Sequence, residues 1–365
     1  MNLLFITHSD LRKCAYGDGS TRYRCFNVAE VALARGHSAH VVELDTLRLK
    51  DLTHYDLISW LRPEPSKRAK AVLDYAAARN IPCIADVDDL IFDPLLAKDS
   101  PAVINGFATR KRIEKRFAGH ADMLRHFSAI TVSTTPLEQH IKACFAGMPV
   151  ATVHNGLSSF WLAHADISSG TTPTPESFGY LPGTRSHDQD LASISLPLKQ
   201  WLQRRPDARL NIVGKIAINR EQLPQCRVTL HPWMDYFQLP AMMRKHRACL
   251  APLTNTRFNA AKSHVKFIES AALGIPLIAS PNDDLMQHDC PGLSFADTSQ
   301  DWYNALLHVS QTIFQLSDRA ILQNYARTQC TAAHYVTPLI QTWEQGLLLP
   351  TDVDSPIPLP LARAA

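Results

Sequence analysis

The chain has 365 residues, of which 45% are hydrophobic and 19% are charged. This composition excludes a disordered protein and allows two domains of ordinary size, each with its own hydrophobic core. The net charge of +3 is too small to favour nucleic-acid binding, and no apolar run approaches the roughly 20 residues that a membrane-spanning helix needs.

Apolar segments alternate with helical patterns through the first half of the chain. Strands separated by helical segments of about 10–15 residues predict βαβ units and a parallel sheet. The predicted strands are Leu3–Thr7, Ala39–Leu44, Asp56–Trp60, Cys83–Val87, Ala129–Ser133 and Val150–His154, and the predicted helices are Thr21–Arg35, Ser66–Arg79, Arg110–Arg125 and Thr135–Cys144.

A glycine-containing loop follows the first predicted strand and opens the first predicted helix. Its glycine and arginine residues are Gly17, Gly19, Arg22 and Arg24. Guanidinium groups are suited to anionic ligands, although solvated helix residues would show the same pattern. The loop lacks the third glycine of a dinucleotide-binding fingerprint. Glu43 and Asp45, near the end of the second strand, keep a Rossmann dehydrogenase open as a minor alternative.

Three carboxylates lie at the end of the strand Cys83–Val87. Asp86 and Asp88 alternate along the strand end and therefore share a side, and Asp89 turns into the loop. Ligands of parallel sheets bind at the carboxyl ends of the strands. These acids are predicted to bind hydroxyl groups of a ligand, to position that ligand or to deprotonate it. The alternatives are a divalent metal site and the capping of loop amides.

A linker rich in Ser, Thr, Gly and Pro begins at Ser168 and places the domain boundary between Gly156 and Glu176. The predicted domains are 1–157 and 176–348, the second with a last helix that could return to the first domain, and a tail at 349–365 is expected to be poorly ordered. The predicted elements of the second domain are the strands Ser177–Leu181, Ala208–Val213, Val228–Leu230, Ala248–Ala251 and Leu277–Ser280, and the helices Asp190–Arg204 and Leu239–Lys245.

Two doubly wound domains in succession place a ligand crevice between the carboxyl ends of their strands. In the second domain, the first strand opens into Gly183, Thr184 and Arg185, where free backbone amides next to a guanidinium would suit a phosphate. His187 and Asp188 are predicted either to cap the following helix or to contact the ligand.

Residues 258–280 predict a capped helix followed directly by a buried strand. Ser263 is the expected N-cap and Gly274 the left-handed end of the helix. Lys262, Lys266 and Glu269 fall on one helical face, where the two lysines repel each other unless an anion lies between them. Such a face can hold a diphosphate and the ribose of a nucleotide. The alternative is a solvated surface pair.

The segment from Glu269 to Ser280, Glu-x-Ala-x-x-Gly-x-Pro-x-x-Ala-Ser, resembles the donor-binding signature of GT-B glycosyltransferases, family 4 in particular. The turn at 183–190 and the strand at 206–214 resemble the corresponding segments of bacterial members. The resemblance implies an α/β fold of two Rossmann-like doubly wound domains facing across a cleft. The first domain would take the acceptor and the second the nucleotide-sugar donor.

The resemblance also implies roles for individual residues. Glu269 would bind the donor ribose, Arg185 and Lys262 would stabilise the leaving diphosphate, and Asp88 and Asp89 would organise the reacting sugars. Further donor-binding residues would be Gly183, Thr184, Asn259, Ser263 and Lys266, and the residues facing the acceptor or the phosphates would be Gly17, Gly19, Arg22, Arg24 and Asp86.

The chain departs from the family pattern at three places. It lacks the lysine that the family often has shortly after Gly183, for which Lys262 is the candidate substitute. Asp88 stands where a histidine is common, and Ala261 stands where a first glutamate is usual. The sugar contacts, and therefore the donor sugar, are expected to differ from those of typical members.

We therefore expect a glycosyltransferase that moves a sugar from a nucleotide sugar to a glycan or lipid-linked acceptor, with retention, in the synthesis of lipopolysaccharide or capsule. No cofactor or metal and no nucleic acid is expected. The scattered cysteines and the absence of a signal-peptide pattern predict a cytoplasmic location. The basic helix 110–125 predicts either a solvated face or peripheral contact with an anionic membrane. The alternative functions are a sugar-nucleotide 2-epimerase of the same fold and a non-catalytic nucleotide- or glycan-binding paralogue.

Overall fold

The structure is a computed structural model, and it describes residues 1–9, 15–165, 176–217 and 223–350. The predicted linker lies outside these ranges over residues 166–175, and the predicted tail lies outside them from residue 351. Within the described ranges, every helix is too short or too polar to traverse a lipid bilayer.

The first domain contains a parallel sheet of six strands in the order β2-β1-β3-β4-β5-β6. The strands are β1 (Asn2–Thr7), β2 (Ser38–Glu43), β3 (Leu57–Leu61), β4 (Cys83–Val87), β5 (Ala129–Val132) and β6 (Val150–Thr152). All residues of the central strands β3, β4 and β5 are buried. Burial on both faces explains why these strands appear in the sequence as continuous apolar runs.

The second domain repeats this design with the strand order β12-β11-β10-β7-β8-β9. The strands are β7 (Ser177–Gly183), β8 (Arg209–Gly214), β9 (Val228–His231), β10 (Ala248–Ala251), β11 (Leu277–Ala279) and β12 (Leu293–Phe295). Every strand pair in both sheets is parallel. The predicted α/β class with two doubly wound domains is confirmed.

Helices connect the strands of both domains. Those in the first half of the chain are α1 (Gly19–Thr21), α2 (Asn27–Ala34), α3 (Lys67–Ala77), α4 (Pro101–Ile104), α5 (Arg110–Leu124), α6 (Thr135–Cys144) and α7 (Ser159–Ala165). Trp161 of α7 packs in the core of the second domain. Those that follow are α8 (Asp188–Ser193), α9 (Ser195–Arg204), α10 (Leu239–Met243), α11 (Arg257–Ala260), α12 (Val265–Ala272), α13 (Asp283–Met286), α14 (Ser299–Gln311), α15 (Leu316–Gln329) and α16 (Ala332–Glu344).

Two features of these helices differ from the sequence prediction, and a third concerns the last helix, for which a return to the first domain was considered. The single helix predicted over 190–204 is divided at Ile194, whose backbone angles leave the helical region. The first helix contains a π-helical turn, Arg22–Phe26, between α1 and α2. The last helix, α16, packs against α2, and its Val336 and Trp343 share a buried core with Phe5 of β1.

Candidate active site

A cleft of about 810 Å³ lies between the two domains, at the carboxyl ends of strands from both sheets. The predicted site residues that line it are Gly17, Gly19, Arg22, Asp88, Asp89, Gly183, Thr184, Arg185, Lys262, Ser263, Lys266 and Glu269. The structure therefore brings most of the predicted site together on one surface, and the roles of these residues remain predictions. Arg24, Asp86 and Asn259 are not part of this surface.

Two glycines form part of the cleft wall where β7 and β8 end. Gly183 has φ of 76° and Gly214 has φ of 121°, values that favour glycine. A Cβ on Gly214 would also lie 2.9 Å from the carbonyl oxygen of Gly183. Because neither residue carries a side chain, the backbone of both strands is open to a ligand at this point. The hydroxyl of Thr184 is paired with that of Ser186 at 2.7 Å.

Arg185 lines the cleft, but its charge is already compensated. Its Nε and Nη2 atoms lie 3.0 and 2.9 Å from Oδ2 of Asp188. The guanidinium also lies 4.9 Å from the ring centre of Phe107 in the first domain. The side chain is 52% exposed. Asp188 therefore competes with a phosphate for the Nε and Nη2 atoms of this side chain.

The segment before α12 supplies a second cation that is paired across the cleft. Nζ of Lys262 lies 2.9 Å from Oδ1 of Asp89, a residue of the first domain. Helix α12 begins after His264, which occupies the N-cap position that was predicted for Ser263. The Ser263 hydroxyl instead accepts a hydrogen bond of 3.0 Å from the side-chain amide of Asn155. The predicted left-handed residue Gly274 has φ of 65°, as expected.

Lys266 and Glu269 follow on α12 and face the same cleft. Nζ of Lys266 donates a 2.6 Å hydrogen bond to the carbonyl oxygen of Leu181 at the end of β7. Burial lowers the pKa of this ammonium, and Glu269 opposes the shift. Glu269 is 8% exposed, and its Oε1 accepts a 2.7 Å hydrogen bond from the phenol of Tyr23 in the first domain. Burial, followed by the nearby Glu269, raises the pKa of Tyr23, so the phenol stays protonated and donates.

Arg62 is a site residue that the sequence analysis missed. It follows β3, lines the cleft and pairs with both acids, through Nε to Asp88 and through Nη2 to Asp89 at 3.2 Å. Its φ of 45° is unusual for a residue other than glycine and is a form of backbone strain found at functional sites. Burial acts to raise the pKa of Asp88, but the Arg62 charge and hydrogen bond outweigh it, and the pKa is lowered.

Arg24 and Asp86, predicted to face the acceptor or the phosphates, form a buried ion pair instead. Nε and Nη2 of Arg24 donate to the two carboxylate oxygens at 2.8 and 2.7 Å, and both side chains are less than 10% exposed. Asp86 also accepts from Thr131, and Arg24 donates to the carbonyl oxygen of Val153. The pair joins the first helix to the strands β4 and β5. These contacts correct the predicted placement, because they turn both side chains into the domain.

Asn259, predicted to bind the donor, is also buried inside its domain. Its amide nitrogen donates to Oδ1 of Asp190 at 3.1 Å and to the carbonyl oxygen of Thr254 at 3.0 Å. Asp190 accepts further bonds from Thr254 and from Nδ1 of His187. Asn259 and His187 therefore fix the connection between α8 and the loop after β10. The other residue of that turn, Asp188, pairs with Arg185 and accepts from the amide of Ala217 at 2.8 Å.

Two groups of side chains among the described residues have the composition and spacing of metal ligands. They are Asp93, His140 and Cys144 in the first domain, and His154, His264 and Asp284 between the domains. None of the six belongs to the described cleft wall. Among the carboxylates that line the cleft, Asp88 and Asp89 are paired with Arg62 and Lys262. A metal ion held by either group would therefore lie outside the cleft wall.

Residues 195–335 match the sequence model of the glycosyl transferase-like family. The match covers less than half of the chain, from α9 into α16. No curated protein matches the chain in sequence. The predicted enzyme class, a glycosyltransferase, is confirmed at the level of this domain, whereas membership of family 4 remains a prediction.

Solved structures share the fold at low sequence identity. Sucrose-phosphate synthase from Thermosynechococcus elongatus has a TM-score of 0.62 at 14% identity, over 94% of this chain and 98% of that one. HepE from Anabaena has a TM-score of 0.60 at 13% identity, over 94% of this chain and 100% of HepE. TarM from S. aureus has a TM-score of 0.56 at 12% identity over 81% of this chain, which spans 57% of the length of TarM. These likenesses confirm the GT-B fold.

Proposed function

We propose that the chain transfers a sugar from a nucleotide sugar to a glycan acceptor within the interdomain cleft. The observation that carries this proposal is that Lys262, Lys266 and Glu269 line the same cleft as Asp88 and Asp89 of the other domain. Two cations next to bare strand ends suit a diphosphate, and a buried carboxylate suits ribose hydroxyls. Carboxylates on the facing domain can bind sugar hydroxyls.

The fold relatives support a particular choice of donor for the first tests. HepE was solved in complex with UDP and glucose, and the match to the glycosyl transferase-like family lies in the half of this chain that holds Lys262 and Glu269. We therefore propose a donor of the UDP-sugar class.

The transfer step places a leaving charge next to the lysines. The bond between the anomeric carbon and the diphosphate oxygen breaks, and the acceptor hydroxyl oxygen bonds to the anomeric carbon. In a retaining reaction the acceptor enters on the face that the diphosphate leaves, and its proton passes to the departing diphosphate. Lys262, Lys266 and, after release from Asp188, Arg185 would stabilise the negative charge that develops. We propose that these cations take the place of a metal ion.

Asp88 is better suited to holding sugar hydroxyls than to removing a proton. Its pKa is lowered because the Arg62 cation outweighs the effect of burial, and a weakly basic carboxylate is a poor general base near neutral pH. Asp89 is shared between Arg62 and Lys262. Binding of a diphosphate to Lys262 would release Asp89 to contact the acceptor or the donor sugar.

The acceptor is proposed to be a growing surface glycan, such as lipopolysaccharide or capsule, carried by a lipid. Lys111, Arg112 and Lys115 on α5 are exposed and form no ion pair with a described residue, whereas Arg110 and Arg116 pair with Glu114 and Glu64. The loop before α5 reaches the cleft rim, since the amide of Asn105 donates to the carbonyl oxygen of Ser186 at 2.9 Å. A membrane under α5 would therefore present a lipid-linked acceptor near the cleft.

A nucleotide screen tests the proposal first. UDP, GDP, dTDP, ADP and CMP are compared by thermal shift, with stabilisation by one nucleoside diphosphate as the expected result. The matching sugar nucleotides are then incubated with the protein alone and with glycan acceptors. Transfer of the sugar supports the proposal, and the anomeric configuration of the product decides retention. Release of a 2-epimer in the absence of an acceptor would show that the protein is an epimerase and not a transferase. Binding of the nucleotide sugar without turnover would show that it is a non-catalytic paralogue.

A vesicle assay tests the membrane contact independently. Sedimentation with phosphatidylglycerol vesicles, but not with phosphatidylcholine vesicles, is expected, because the basic residues of α5 attract an anionic surface. Replacing Lys111, Arg112 and Lys115 by Gln should abolish sedimentation and leave nucleotide binding intact. Equal sedimentation of this variant and the natural chain would remove α5 from the proposal.

A further inference from the structure

Three side chains with metal-binding atoms meet between the two domains, outside the cleft wall. His154 follows β6 of the first domain, whereas His264 precedes α12 and Asp284 belongs to α13 in the second domain. Nδ1 of His154 lies 2.8 Å from Oδ1 of Asp284, and Nδ1 of His264 lies 3.4 Å from Oδ2 of the same carboxylate. His264 and Asp284 are buried, and the side chain of His154 is 19% exposed. We call these three residues the interdomain histidine site.

The hydrogen bonds of His264 leave a lone pair on the nitrogen that faces Asp284. Its Nε2 atom lies 2.7 Å from the carbonyl oxygen of Asn155, which can only accept. Nε2 therefore carries the proton of the neutral imidazole, and Nδ1 is an acceptor. The Asp284 carboxylate is an acceptor too, and its Oδ2 already takes the backbone amide of His264 at 2.8 Å. Two acceptor atoms thus face each other at 3.4 Å.

His154 adds a third ligand atom to the same space. Its Nδ1 atom is buried and has no hydrogen-bond partner among the described residues, although Asp284 lies close to it. The ligand atoms of the three residues all lie within 4.8 Å of one another. Two ligand atoms of a tetrahedral zinc ion lie about 3.3 Å apart. Small movements of these side chains would therefore close them around one cation.

His288 competes for the lone pair of His264. Its Nε2 atom lies 2.8 Å from Nδ1 of His264 and donates to it, because that atom is the acceptor. Nδ1 of His288 lies 2.9 Å from the hydroxyl of Tyr325, which donates in turn. A cation on His264 would replace one hydrogen bond between neutral groups. Such a bond contributes little net free energy compared with coordination of a metal by three ligands.

The types of ligand atom in the site favour one class of metal. Imidazole nitrogens together with a carboxylate suit zinc, whereas calcium and magnesium prefer oxygen ligands alone. The hydrogen bond from Nε2 of His264 to the Asn155 carbonyl is the kind of outer contact that orients a metal-bound histidine. In the other group of metal-ligand composition, Nε2 of His140 and Oδ2 of Asp93 are already hydrogen-bonded at 2.9 Å. The interdomain histidine site is therefore the stronger of the two.

We propose that His154, His264 and Asp284 bind one zinc ion that joins the two domains. Nδ1 of each imidazole and the Asp284 carboxylate would hold it. Because the ligands come from both domains, the bound ion would fix the connection after β6 against the start of α12. The site is independent of the proposed function, since none of its three residues lines the cleft.

Zinc binding by the full chain tests the site. Protein that has been treated with a chelator and dialysed is titrated by calorimetry with Zn²⁺, with Mg²⁺ as the comparison, and Co²⁺ serves as a spectroscopic substitute for zinc. The variants His154→Gln and Asp284→Asn each remove one ligand. His140→Gln is the matched control, because it removes a ligand from the other group.

The natural chain and His140→Gln are expected to bind one zinc ion per chain and no Mg²⁺. The two ligand variants should lose zinc affinity by about 10²-fold or more, because loss of even an outer partner of a metal ligand costs about 10-fold to 100-fold. Visible absorption bands of bound Co²⁺ should appear with the natural chain and be absent from both ligand variants. Failure of the natural chain to bind zinc, unchanged affinity in both ligand variants, or loss confined to His140→Gln would overturn the proposal.

Melting temperatures separate the loss of a ligand from damage to the fold. Without metal, His154→Gln should melt with the natural chain, because Nδ1 of His154 has no hydrogen-bond partner among the described residues. Zinc should raise the melting temperature of the natural chain and leave that of His154→Gln unchanged. An equal rise in both proteins would place the ion elsewhere and contradict the proposal. A failure to bind any nucleotide would refute the proposed function and leave these results unaffected.

Discussion

The phenol of Tyr23 donates a 2.7 Å hydrogen bond across the cleft to Oε1 of Glu269. The two residues are 246 positions apart and belong to different domains. Glu269 is the side chain assigned to the donor ribose. The phenol therefore occupies one oxygen of the carboxylate that is proposed to bind the ribose, and on that proposal the ribose competes with the phenol.

We expect Tyr23→Phe to bind UDP more tightly and Glu269→Gln to bind it more weakly. Removing the phenol frees the carboxylate, and a hydrogen bond to a charged group contributes about 1.5–3 kcal/mol, so the gain should be about tenfold to 10²-fold. Loss of the carboxylate should cost a similar factor. Calorimetry with UDP measures both. Weaker binding by Tyr23→Phe would mean that the phenol contacts the nucleotide instead of competing with it.

We expect Lys262→Met to lower the kcat/KM of sugar transfer by about 10²-fold to 10³-fold. The ammonium would stabilise charge that develops on the leaving diphosphate, and loss of one such donor typically has an effect of this size. Steady-state kinetics with the identified donor measures it. Lys70→Met is the matched control, because Lys70 forms an exposed pair with Asp74 at 2.7 Å. Equal rates for the two variants would remove Lys262 from the reaction.

We expect Arg62→Gln to shift the acid side of the pH–activity profile to higher pH. The Arg62 cation is what holds the pKa of Asp88 below its ordinary value against the effect of burial. Without it, only the smaller effects of Ser20 and Arg24 oppose burial, and the carboxylate takes up a proton at a higher pH. A profile of kcat/KM against pH measures the shift. An unchanged acid limb would show that ionised Asp88 is not needed for activity.

The local elements of the fold are well predicted by the sequence. The bounds of β4, α6 and β10 agree with the prediction to the residue. The strands are short apolar runs between turn residues, and the helix is a periodic pattern that begins with a capping threonine. Both signals depend only on neighbours in the chain. The placement of Lys266 and Glu269 on one face of α12 has the same origin.

The pairing of the site residues depends on tertiary structure and is not readable from local spacing. Arg22 and Arg24 stand two positions apart in one helix, yet one lines the cleft and the other is turned into the domain. Lys262 and Asp89 are 173 positions apart. Arg62 belongs to no sequence motif that would single it out. Its contact with Asp88 follows from the pairing of β3 with β4.

We expect Asp86→Ala to lower the free energy of unfolding by about 3–5 kcal/mol, because it leaves the Arg24 charge buried without its partner. The double variant with Arg24→Met should lose less than the sum of the two single variants. Urea denaturation measures these values. Asp51→Ala, which removes an exposed pair with Arg48, should change stability by less than about 1 kcal/mol. If Asp86→Ala lowered the affinity for UDP and left the free energy of unfolding unchanged, Asp86 would be part of the binding site.

His246 packs against the face of β7 beneath the cleft. A Cβ on Gly179 would lie 2.7 Å from its Nδ1 atom, and the imidazole is 1% exposed. Neither ring nitrogen has a hydrogen-bond partner among the described residues. Burial lowers the pKa of His246 to about 4, although the Met243 backbone acts in the opposite direction. The folded protein therefore holds this imidazole neutral at pH values where the unfolded chain is protonated.

We expect His246 to make the protein less stable as the pH falls from about 6.5 to about 4. Over this window the unfolded chain binds a proton that the folded chain does not, so the free energy of unfolding falls, by about 3 kcal/mol in total from this group. Urea denaturation at about pH 7.5 and at a series of pH values from about 6.5 downward should give a shallower loss of stability for His246→Leu than for the natural chain. The exposed His126 offers the control His126→Leu, which should keep the natural slope. Equal slopes for all three proteins would show that the imidazole of His246 is protonated in the folded state as readily as in the unfolded one.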